Sequence, residues 1–211
     1  MDERIERAKE LYERAVFGGD REAVAAAEVE LDAVEADLAL TRARVLHARF
    51  LEERQEDPLE LELFERAALL YERLGDVRGQ AQAWFGIGLV HQVVRGDSEA
   101  SLPSFERAHE LARHSGDKLT ISYVVRHLGF VDMAADRFDV AREHFDESVR
   151  LRREVGFLPG VAAGLLSLAE LADEVGQKDE ARALLDEAAE VAESSGARGI
   201  LRWINEARAA H

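Results

Sequence analysis

Apolar positions along this chain recur at steps of three and four, the period of an amphipathic helix. Ala81, Trp84, Ile87, Gly88 and His91 fall on one helical face. The run breaks at Arg95-Gly96-Asp97, where glycine can take a positive φ and aspartate can cap the next helix. A second run places Ser101, Phe105, Ala108 and Leu111 on one face and stops at Ser115-Gly116-Asp117, again a glycine followed by a capping residue. The unit is helix, turn, helix, turn.

This unit repeats. Glycine recurs at Gly75, Gly116, Gly156 and Gly196, with gaps of 41, 40 and 40 residues. Large apolar residues keep the same gaps at Phe64, Phe105, Phe145 and Leu185, and a second set of turns falls between them at Gly96, Asp136 and Gly176. Three interleaved series with one period mark an array built from one supersecondary unit. The predicted helices pair as 3–17 with 20–37, 39–54 with 58–74, 77–94 with 98–114, 118–135 with 138–155 and 160–175 with 178–194. An eleventh runs from 197 to 210. No turn signal separates 37 from 39, so the second and third predicted helices can be continuous. Gly88 and Gly129 lie inside helices at equivalent places, where glycine costs about 1 kcal/mol relative to alanine. Close approach of a neighbouring helix explains both, with Ala108, Ser148 and Ala188 as small residues on the facing helices.

Trp84-x-x-Ile87-Gly88-x-x-His91, followed by Ser101, Phe105 and Ala108, resembles the tetratricopeptide pattern. The fourth unit repeats it with Val125, Leu128, Gly129, Asp132, Ala141, Phe145 and Ser148. The fifth gives Leu165, Leu168, Ala169, Ala172, Ala181, Leu185 and Ala188. The second is weaker, with Ala43, Leu46, His47, Phe50, Phe64 and Ala67; the first is weaker still, with Ala8, Leu11, Ala23 and Ala27. The standard unit is about 34 residues and ends in proline; here it is longer and lacks that proline. The longer form is similar to sensor domains of bacterial transcription regulators. The resemblance implies an all-α, right-handed solenoid of repeats 1–38, 39–75, 76–116, 117–156 and 157–196 in one body, closed by a cap over 197–211. On that cap Ile200, Ile204 and Ala207 share a face.

Composition narrows the function. The formal charge is −16, which opposes a phosphate backbone and sets nucleic acid aside as a partner. Cysteine is absent, so disulfides, cysteine nucleophiles and thiolate metal sites are excluded. Met1-Asp2-Glu3-Arg4 lacks the apolar run of a signal peptide, and no stretch of eighteen apolar residues occurs. A cytoplasmic protein without membrane contact is expected.

Motifs for chemistry are sparse. Gly86-x-Gly88 follows no strand and lacks the third glycine of a dinucleotide fingerprint. The histidines are His47, His91, His109, His114, His127, His144 and His211; no two stand four apart, so no metal site is expected. No cofactor and no catalytic residue is expected. In tetratricopeptide arrays the first helix of each unit lines the concave face. Carrying that register across implies a binding groove of Arg44, Phe85, Leu89, Gln92, Tyr123, Arg126, His127, Phe130, Met133 and Leu166. Val45, Ala48, Leu51, Gln82, Ser167, Glu170 and Asp173 lie beside them. The alternative is that neighbouring helices close over these residues as core.

The leading expectation is a non-enzymatic module whose apolar groove takes a protein or peptide, as a scaffold, adaptor or regulator, with arginine for a carboxylate. The rival is a sensor for a small apolar ligand, or an enzyme using the same pocket with His127 as acid–base group. The third is assembly through the apolar surface as a homodimer.

Overall fold

A computed structural model describes residues 2–209. The expected helix end at 210, the remainder of the cap to 211, His211 and the initial Met1 lie outside the described residues. The fold class is all-α, a helical repeat, with no strand among the described residues. The helices are α1 (Glu3–Gly18), α2 (Glu22–Glu53), α3 (Leu59–Leu74), α4 (Val77–Leu89), α5 (Ser98–Ser115), α6 (Lys118–Ala134), α7 (Phe138–Glu154), α8 (Leu158–Glu174), α9 (Lys178–Ser194) and α10 (Arg198–Ala209). A π-helical turn, Val90–Val94, follows α4.

Ten helices stand among the described residues where eleven are expected, because 20–37 and 39–54 are one helix, α2, of 32 residues. The run Ala36–Arg44 has no glycine or proline to end it, and its Ala, Leu, Glu and Arg content favours propagation. The π turn accounts for another irregularity. From Gly75 to Gly96 there are 21 residues, whereas Gly116 to Asp136 and Gly156 to Gly176 each span 20. The extra residue is absorbed where Arg95 N–H donates to Val90 C=O, a five-residue step, at 3.0 Å. That insertion is the whole difference between the 41-residue period and the 40-residue ones.

The expected turns carry the left-handed backbone that ends helices. Gly156 has φ +72° and Asp136 has φ +57°, the latter tolerated because a short polar side chain can bond locally. Asp97 accepts from Ala100 N–H at 2.8 Å, and Asp117 accepts from Thr120 N–H at 3.2 Å, so both act as N-caps.

The chain divides into two compact units, Met1–Ser115 and Gly116–His211. The division falls at a repeat boundary. In the first unit, Phe64, Leu70, Tyr71, Ala43, Ile87 and Val90 form a buried cluster between α2, α3 and α4. In the second, Phe145, Val149, Leu165, Leu168, Leu185 and Ile204 form another. There Ile200, Trp203 and Ala207 of α10 pack on the cluster from its end.

In each unit an aromatic ring fills the space a glycine leaves. A Cβ on Gly88 would stand 2.4 Å from the Phe105 ring, and one on Gly129 would stand 2.5 Å from the Phe145 ring. Gly86 gives the same room to Phe64. Ala108, Ser148 and Ala188 are all fully buried, and Ser148 Oγ donates to Ser122 C=O at 2.7 Å across the α6–α7 contact.

Phe105 and Phe145 have no exposed surface. Phe105→Ala and Phe145→Ala should each destabilise by about 3–5 kcal/mol, as buried Phe→Ala changes do. Urea denaturation followed by circular dichroism measures this; losses under about 1 kcal/mol at both positions would contradict the packing.

Candidate functional site

The residues expected to line a groove fall in both units, and each set stands by itself. In the Met1–Ser115 unit, Arg44 is exposed and its guanidinium donates to the Gln82 side-chain oxygen at 3.0 Å. Phe85, Leu89 and Gln92 are half-buried, and the Phe85 ring lies 5.9 Å from that of Phe105. Gln92 sits in the π turn that ends this helix.

In the Gly116–His211 unit, the side chains of α6 converge on α8. Tyr123, Arg126, Phe130 and Met133 are half-buried. Arg126 Nε donates to Ser167 Oγ at 2.8 Å and to Ala163 C=O at 3.3 Å. Ser167 Oγ in turn donates to Ala163 C=O at 3.1 Å. The Arg126 guanidinium carbon lies 4.7 Å from the centre of the Phe130 ring, a cation–π contact. His127 is buried edge-on to Phe130, with ring centres 5.9 Å apart. Leu166, expected on the lining, belongs to the core with 3% exposure. The reason is that α8 packs on α6, α7, α9 and α10 and has little free face.

A residue absent from the expected set completes this region. Arg152 of α7 is 2% exposed, one of the largest fully buried side chains. Its Nη1 donates to Gly160 C=O at 2.8 Å and its Nε to Ser122 Oγ at 3.4 Å. The guanidinium carbon lies 5.1 Å from the centre of the Tyr123 ring. A glycine opens space for it: a Cβ on Gly160 would meet Arg152 Cδ at 2.9 Å, as well as the Phe157 ring at 2.3 Å. A signal for Arg152 exists in the sequence. Counting four residues back from each repeat-ending glycine gives Tyr71, Ala112, Arg152 and Ala192, so a charge stands at a core register.

The electrostatics of this pair are unbalanced. Among the described residues no carboxylate lies within ion-pair distance of Arg126 or Arg152. Burial pushes the Arg152 guanidinium well below its ordinary pKa, and repulsion from Arg126 adds to that push. Burial also lowers Arg126, with the Glu170 charge acting against it. Burial raises the Glu170 carboxyl, and Arg126 opposes the rise. Glu170 keeps contact with solvent, so its compensation of the cations is screened. Arginine does not shed its proton readily, so two cations persist in a place that disfavours them. An added anion would relieve both.

Elsewhere, the buried Glu60 meets His47 Nδ1 through Oε1 at 2.9 Å while its Oε2 has no hydrogen-bond partner. Asp132 accepts from Arg137 Nε at 2.8 Å and pairs with His144 Nδ1 at 2.8 Å. A cavity of about 320 Å³ is lined by Asp136, Phe138, Asp139, Arg142, Leu171, Val175 and Gln177, and its Arg142 is already paired to Glu180 at 2.9 Å. No group of three His, Asp or Glu side chains suited to a metal occurs among the described residues.

Residues 119–194 match the family model of the tetratricopeptide repeat. In fold, the chain is similar to the crystal structure of BtubC (BKLC) from P. vanneervenii. The two are 16% identical, the match covers 92% of this chain and 90% of that one, and the TM-score is 0.54. At that identity the likeness shows the fold alone. No curated protein matches.

Replacing Arg152 by methionine should leave stability unchanged within about 1 kcal/mol or raise it, because a buried cation without an anion is exchanged for an apolar chain of similar length. Thermal and urea unfolding of Arg152→Met measure this. A loss above about 3 kcal/mol would show that the fold needs the guanidinium.

Proposed function

We propose that this chain, whose residues 119–194 match the tetratricopeptide repeat model, is a non-enzymatic protein- or peptide-binding module that acts as a scaffold, adaptor or regulator. The Gly116–His211 unit carries the binding face. Its contact residues are Tyr123, Arg126, Phe130 and Met133, with Ser167 holding Arg126 in place. The target is a peptide segment with a carboxylate beside apolar side chains. One observation carries this reading: Arg126 is held over Phe130 by Ser167, largely buried yet in contact with solvent, with no carboxylate in ion-pair distance. A guanidinium fixed in this way is pre-organised for a bidentate contact with a carboxylate. The partly exposed Tyr123, Phe130 and Met133 offer apolar surface next to it.

The net charge of −16 does not oppose such a ligand at contact. Exposed charges beyond a screening length of about 8 Å at physiological salt are largely silent. The nearby guanidinium dominates the local potential, and the distant acidic surface chiefly slows encounter.

The test uses labelled ten-residue peptides that pair Asp or Glu with apolar neighbours, and twins in which Asn or Gln replaces the acid. Acidic peptides should bind at least tenfold more tightly than their neutral twins. Arg126→Glu should abolish that preference while the circular dichroism spectrum stays unchanged, since a charge reversal replaces attraction by repulsion. Equal binding of the twins, or an Arg126→Glu protein with undiminished affinity, would overturn the reading.

A further inference from the structure

The fused helix α2 carries an exposed apolar stripe. Val24, Leu31, Leu38 and Val45 are separated by seven residues each, and they are 52%, 49%, 56% and 56% exposed. Seven residues are nearly two helical turns, so the four side chains form one seam that drifts only about 20° per step. The seam extends over about 32 Å at the usual helical rise. Apolar residues on this period suit contact with another helix along its length.

The stripe is flanked on one side by Glu28, Glu35, Arg42 and Arg49, four residues after each seam position. The charges change sign halfway: acidic toward the start of the helix, basic toward its end. Glu28, Arg42 and Arg49 are exposed and make no ion pair within the chain among the described residues. Glu35 meets Arg66 at 2.7 Å and stays exposed.

We infer that α2 of the Met1–Ser115 unit is a homodimerisation helix, which pairs antiparallel with α2 of a second copy of this chain. The charge order selects the occupant. In a parallel pair this flank faces the opposite flank of the second copy, so like charges meet at Glu35 with Glu30 and at Arg49 with Arg44, against one opposite pair, Arg42 with Asp37. Reversed about a two-fold axis beside Leu38, Glu28 meets Arg49 of the second copy and Glu35 meets Arg42. In the same register Leu31 meets Val45 and Leu38 meets its own counterpart. A two-fold contact of this kind is self-complementary and closes after two chains. It uses a surface separate from the α6 face and holds whether or not that face binds peptide.

Sedimentation equilibrium of the full chain should give twice the chain mass at micromolar concentration. Leu38→Glu puts two like charges on the axis and should return the mass to that of one chain, with helicity retained because the position is exposed. The double variants Glu28→Lys/Glu35→Lys and Arg42→Glu/Arg49→Glu should each be monomeric alone and form a mixed dimer when combined. The chain has no cysteine, so orientation can be read by disulfide trapping. Leu31→Cys mixed with Val45→Cys should oxidise to a mixed dimer, whereas a parallel pair would link Leu31→Cys to itself. A monomeric wild-type chain at 100 μM protein, or a dimer unaffected by Leu38→Glu, would overturn the inference.

Discussion

A phenyl ring laid against a backbone that lacks a Cβ sets the spacing of helix pairs in both units. Phe105 rests on Gly88 and Phe145 on Gly129, while Phe64 rests on Gly86. Each glycine forgoes about 1 kcal/mol of helix propensity relative to alanine. The return is burial of a whole aromatic side chain, worth about 1.5–3 kcal/mol before dispersion contacts are counted. The sign of that balance favours glycine only while the neighbouring ring is present, so the two residue types belong together. In the second unit the approach also lets Ser148 donate to the Ser122 backbone and brings Arg152 within reach of Ser122 Oγ. Positioning of the α6 face thus follows from packing inside the repeat.

Arg152 shows how the same device serves a polar group. Gly160 on α8 leaves room for the Phe157 ring and for the Arg152 side chain, and Gly164, one turn on, leaves room for Val149. The guanidinium is bonded to neutral oxygens only, and Arg126 repels it. A fold selected for stability alone would place an apolar residue there, as it does with Ala112 and Ala192 at the equivalent positions. The charge is therefore not explained by packing alone, and Arg126 is the guanidinium of the two that keeps contact with solvent.

Much of the fold was legible because turns and core obey local rules. Gly75, Gly116, Gly156 and Gly196 are all left-handed, and the phenylalanines on the same beat are buried, so period and register were readable. The π turn was legible in principle as the single extra residue between Gly75 and Gly96, but spacing does not say how a helix absorbs an insertion. The α2 fusion was readable only as the absence of a breaker. The site was less legible. Helical register places Leu166 on the same face as Arg126, but burial depends on how many helices surround α8, which is a tertiary property. Arg152 escaped because a charged residue among many charges draws no notice until its burial is known.

The glycine–aromatic contact is most directly tested by a double-mutant cycle on Gly129→Ala and Phe145→Leu, with urea denaturation as the readout. Gly129→Ala forces a methyl against the Phe145 ring, while Phe145→Leu removes the ring that the methyl would strike. If the contact sets the α6–α7 distance, the double variant should be more stable than the sum of the two losses by roughly 1–2 kcal/mol, as coupled neighbours are. Losses that add to within about 0.5 kcal/mol would contradict the account, because the glycine would then be serving something other than the ring.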